Sequence, residues 1–213
     1  MSRTRLRLIV SQEWMVYSLC LLAGQGARAV ADPGAVEQLR SPDVERRMAS
    51  RLKLESERQT CIRNLIAIVA SQPHDAVTEH AVVDSIELLG KFRAREASKC
   101  LADKIMYVPR CVRFIAEAHP LNRFPAAKAL VEIGNPGVSE VLVRLTKTPS
   151  ENELRIMAFV IYLVDGKELG LCRLQIAQEQ DSRRGSTARK DSLSRLIEIY
   201  KATDFQDHTN WPE

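Results

Sequence analysis

Four histidines and five cysteines are the side chains of this 213-residue chain best suited to metal binding or nucleophilic chemistry. The histidines are His74, His80, His119 and His208, no two of them four residues apart and none beside a C-x-x-C frame. A structural zinc site takes four nitrogen or sulfur ligands in close local pairs, so no metal site is expected. No G-x-S-x-G motif and no glycine-rich phosphate loop occurs, and Gly134-Asn-Pro-Gly137 reads as a turn between helices. Cys111 is the one thiol in a basic setting, between Arg110 and Arg113 with His119 downstream, where positive potential favours the thiolate. Cys61, Cys100 and Cys172 fall on apolar helical rows, where a cysteine acts as a small hydrophobe. A Cys100–Cys111 bridge requires the chain to fold back after Pro109, and the spacing leaves it open. No catalytic residue and no cofactor is expected, with an enzyme working through Cys111 and His119 as the alternative.

Polar rows offer a different chemistry, that of binding. Arg95 and Lys99 belong to one row, Glu140, Arg144 and Lys147 to a second, and Arg173 to a third, and these six are the expected partner contacts. Lys99/Asp103 and Glu140/Arg144 are spaced for i,i+4 pairing, so these faces also have the pattern of self-neutralised helix surfaces. Nucleic acid is not an expected partner. Of the net charge of +4, residues 1–29 carry +3, which leaves the rest of the chain at +1. The basic cluster Arg183, Arg184, Arg189 and Lys190 has no interleaved aromatics and sits beside Asp181 and Asp191.

Helices must position these rows. Aromatics make up 5% of the chain, and its apolar residues recur at helical spacing between Gly and Pro punctuation. Ser41-Pro42-Asp43 opens a helix with the stripe Val44, Met48 and Leu52, followed by a second stripe through Cys61, Leu65, Ile66 and Val69. Asp75 caps the next helix, whose face is Val82, Val83, Ile86 and Leu89. Gly90 breaks it before the returning face Ala97, Cys100, Leu101 and Ile105. Residues 110–119 read as a short inserted helix. Gly134 and Gly166 mark two further turns, Ser150 and Glu153 form a capping box, and Leu169, Cys172, Leu174 and Ile176 form another returning face. Residues 178–191 are expected to be a mobile loop, followed by a last helix through Leu193, Leu196, Ile197 and Tyr200.

A glycine-closed helical phrase thus appears three times, in VVDSIELLGKF, AAKALVEIGNPG and AFVIYLVDGKEL. Gly90 to Gly134 spans 44 residues, inside the roughly 40–47 of HEAT and armadillo repeats, and Gly134 to Gly166 spans 32. The phrases ALVEIGNPGVSEVLVRL and SIELLGKFRAREASKCLADKI resemble HEAT-like repeats, in particular the short kind named after phycobilisome lyases. That resemblance covers residues 42–180. It implies an all-α, right-handed α-solenoid of about four antiparallel hairpins with a C-terminal capping helix, over residues 41–203. It also implies a protein- or peptide-binding face formed by the second helices, and bilin-lyase-like chemistry as the catalytic alternative.

Residues 1–31 carry the pattern of a secretory signal peptide: Arg3, Arg5 and Arg7, an apolar run from Met15 to Ala23, and the small-residue exits Ala27-Arg-Ala29 and Ala29-Val-Ala31. The run of nine is too short for a membrane anchor, which takes about 20 residues. Export is the expected localisation, with a cytoplasmic chain and an amphipathic first helix as the alternative. Residues 32–40 read as a linker and 204–213 as a tail.

Overall fold

The computed structural model describes residues 33–110, 120–184 and 187–205, all within the compact unit Ala31–Glu213. The described residues are all-α. The helices are α1 (Pro33–Gln38), α2 (Val44–Ser56), α3 (Arg58–Ala70), α4 (Ala76–Lys91), α5 (Ser98–Asp103), α6 (Pro125–Ile133), α7 (Asn135–Arg144), α8 (Glu151–Arg184) and α9 (Thr187–Ala202). Short 3₁₀ turns lie at Arg95–Ala97, Pro120–Arg123 and Leu145–Lys147. Packing runs from each helix to the next but one: α2 meets α4, α4 packs on α6 and α6 on α8, while α3 meets α5 and α5 packs on α7. α9 closes against α8 and the Leu145–Lys147 turn.

Local chemistry accounts for the helix ends. Asp43, not Ser41, caps α2, its carboxylate accepting from the Glu45 amide at 2.9 Å. Asp75 caps α4 in a reciprocal box with Thr78. These bonds hold the Asp75 carboxyl below its ordinary range. Ser150 accepts from the Glu153 amide at 3.2 Å, but the Glu153 carboxylate turns away to Arg144, so only half of the expected box forms.

The three glycines of the recurring phrase separate into two kinds. Gly134 (φ 81°) and Gly166 (φ 74°) are true turn glycines in a region closed to most side chains, and Gly166 kinks α8 into the segments 151–165 and 167–184. Gly90 breaks nothing, because α4 continues to Lys91. Its role is close packing, since a Cβ there would collide with a Glu132 carboxylate oxygen and lie 3.0 Å from Ala129. The helix ends instead with Arg93 left-handed at φ 49°, where the Ala94 amide bonds to the Leu89 carbonyl and the Arg93 amide to that of Gly90.

Two helices also leave much of their expected apolar face outside. α2 buries Ser50 and Leu54 and leaves its apolar stripe outside, with Val44, Met48 and Leu52 at 57%, 61% and 68% exposure. Polar contacts set that rotation. Arg51 reaches across to α4, binding Asp84 at 2.6 Å and Glu87 at 2.8 Å, and the Ser50 hydroxyl donates to the Ala35 carbonyl. Residues 33–38, expected as linker, are helical because Ala35, Val36 and Leu39 cover the end of the core.

The second segment of α8 buries Leu174, Ala177 and Asp181 and leaves Leu169 at 70% and Ile176 at 51% exposure. Gly170 faces inward, where a Cβ would meet the Tyr200 hydroxyl. That hydroxyl donates to the Gly166 carbonyl at 2.7 Å. Burial and the nearby Asp165 charge push Tyr200 up to about 12, so it stays a neutral donor. Residues 178–184 and 187–191 are helical where a loop was expected, pinned by Arg189 on the buried Asp181 at 3.0 Å. α9 buries Leu193, Leu196, Ile197 and Tyr200 as its spacing predicts, and Phe205 stacks on Tyr162 at 4.2 Å.

Candidate functional surface

The six polar residues picked out by spacing fall into two groups. Arg144 donates through Nε to Glu153 at 3.0 Å and lies 3.5 Å from Asp103, which Lys147 also binds at 2.6 Å. One small network therefore ties α5, the end of α7 and the start of α8 together. Arg173 grips Asp165 through Nε at 2.7 Å and Nη2 at 3.0 Å, and Nη2 also donates to Asn135 at 2.6 Å. Arg144 and Arg173 thus spend their charge within the fold, and Lys147 pairs at its surface. Arg95, Lys99 and Glu140 have no side-chain partner among the described residues, and Arg95 and Lys99 stand exposed.

The expected Lys99–Asp103 and Glu140–Arg144 pairs are replaced by these longer-range ones. An i,i+4 pair on an exposed helix contributes only about 0.2–0.5 kcal/mol. A half-buried arginine that meets two carboxylates from neighbouring helices gains more, because less water screens it.

Around Arg173 lies a groove of about 420 Å³ lined by Asn135, Asp165, Leu169, Cys172, Arg173 and Ile176. Leu169, Cys172 and Ile176 repeat at i, i+3 and i+7 along the outside of the second α8 segment, an apolar row in contact with water. The spacing was legible, but its direction was not. A row of three apolar residues points inward on pattern alone. The turn at Gly166 and the seat of Gly170 under Tyr200 decide otherwise.

A second cleft, of about 560 Å³, lies at the start of α4, where His74, Asp75, Glu79, Tyr107 and Arg110 meet. The buried Glu79 accepts from the Arg110 amide at 2.9 Å and from the Tyr107 hydroxyl at 3.4 Å. No sequence motif singles out Glu79 or Tyr107, which come together only through the turn and irregular chain after α5. The His74 backbone amide donates to the Thr78 hydroxyl at 3.0 Å, as part of the α4 cap.

Cys61, Cys100 and Cys172 are free thiols; burial pushes Cys61 and Cys100 up and so disfavours their thiolates. Cys111 and His119, the catalytic alternative, lie outside the described residues, as do the inserted helix at 111–119, the segment 1–31, His208 and Trp211. Among the described residues no helix is long and apolar enough to cross a membrane.

Comparison of the chain with protein-family models, with curated proteins and with solved structures finds no match. The fold and surface therefore define the class by themselves: an all-α protein of serially packed helices.

Proposed function

We propose that the chain is a non-catalytic scaffold, a right-handed α-solenoid of HEAT-like hairpins that binds a protein or peptide segment on the face of its second helices. The exposed apolar row Leu169, Cys172 and Ile176 beside the Arg173 clamp carries this reading. Packing from each helix to the next but one supports it, as do the glycine turns at 134 and 166. The proposed contact is mainly apolar. Apolar anchors in the groove supply the affinity, the unpaired Arg95, Lys99 and Glu140 remain candidates for polar contacts elsewhere on the second helices, and Arg144 and Arg173 hold the face in shape.

The pattern of residues 1–31 adds export to the proposal, with the mature chain beginning near Asp32. Affinity capture from the native source tests both parts. The wild-type chain is expected to recover a partner that Leu169→Asp/Ile176→Asp does not, at equal melting temperature. An identical set of recovered proteins removes the groove from the reading. The mass of the recovered chain places its amino terminus, and an intact Met1 rules out cleavage.

A further inference from the structure

A tight contact between α4 and α6 holds a carboxylate that forms no ion pair or hydrogen bond among the described residues. Glu132 of α6 places Oε2 over Gly90 of α4, in the space that any side chain at position 90 would fill. It makes no hydrogen bond or ion pair with a described residue. Four charged groups face it: Glu87 and Lys91 from α4, Arg93 from the residues after that helix, and Lys128 from its own helix. Two of the cations are already engaged, Lys91 with Glu55 at 2.9 Å and Lys128 with Asn122 at 3.3 Å. Glu87 is held by Arg51 at 2.8 Å, so its negative charge stays close by.

Half-buried against a helix backbone, the Glu132 carboxylate loses part of its water without gaining a hydrogen bond, and its neutral form loses less. We propose that Glu132 makes the α4–α6 crossing a proton-linked contact, tighter with the carboxyl protonated than with it charged. Burial, opposed mainly by Lys128, raises the Glu132 carboxyl above its ordinary value of 4.5. The direction of the linkage follows. The folded chain holds this proton more firmly than the unfolded chain, so stability rises as pH falls through the folded value. The gain is complete below 4.5 and is lost above the raised value.

The experiment compares unfolding midpoints of the full chain and of Glu132→Gln, a neutral isostere of the protonated acid, from about pH 4 to pH 8. Glu96→Gln, on an exposed side chain without a partner, is the control. The difference between variants is what counts, because Asp84, also raised by burial, titrates alike in both. Glu132→Gln is expected to melt about 2 °C or more above wild type at neutral pH, with the gap closing at the acid end. A gap independent of pH, a gap of opposite sign, an equal gap in Glu96→Gln, or a Gln variant that fails to fold at neutral pH each overturns the proposal.

Discussion

Arg144 shows how one side chain can read as a binding residue and act as a clamp. Its guanidinium meets Glu153 and Asp103, side chains only partly open to water, so its charge is engaged before any partner arrives. Arg144→Glu would set a third carboxylate between those two, at a cost of about 2 kcal/mol or more. The expected result is a melting temperature lower by about 5 °C, measured by circular dichroism. Lys99→Glu, on an exposed side chain without a partner, is expected to stay within about 0.5 kcal/mol of wild type. Equal melting of both variants would return Arg144 to the binding surface. Spacing on one helix could reveal the i,i+4 candidates, Lys99/Asp103 and Glu140/Arg144. It could not reveal that Asp103 and Glu153, 50 residues apart, converge on Arg144.

At the scale of elements, the helix-ending residues were legible where the signal was local and misread where it was not. Asp75 and Gly134 act as their neighbours in sequence indicate, because a cap and a positive φ are decided within a few residues. Gly90 had the same sequence surroundings but a different reason, the approach of Ala129 and Glu132 from another helix. Gly90→Ala is therefore expected to destabilise by forcing α4 and α6 apart, with little change in the intrinsic helicity of α4. Arg93→Gly provides the contrast. It removes the left-handed strain of about 1–2 kcal/mol, offset in part by the greater freedom of glycine when unfolded, and should stabilise by about 0.5–1 kcal/mol. Denaturant midpoints of the two variants that move in the same direction would contradict this assignment.

For the whole molecule, the decisive fact is that α2 turns its apolar stripe outward and the second half of α8 leaves Leu169, Cys172 and Ile176 outside while burying Leu174. Met48→Glu tests the first directly. An exposed stripe predicts an unfolding free energy unchanged within about 0.5 kcal/mol and higher solubility, whereas a core position would cost about 2–5 kcal/mol. The sequence by itself determined the all-α class, the order of the helices from α2 to α9, the Asp75 cap and two of three turn glycines. These depend on propensities and contacts within a turn or two of helix. Tertiary structure alone decided which face of α2 and α8 is buried, where Arg144 and Arg173 spend their charge, and that Glu132 lies over Gly90 without a hydrogen bond. The physical reason is common to all three. A helix rotates to satisfy its strongest contacts, and here those are long-range: Arg51 with Asp84 and Glu87, and Tyr200 over Gly170 and Gly166.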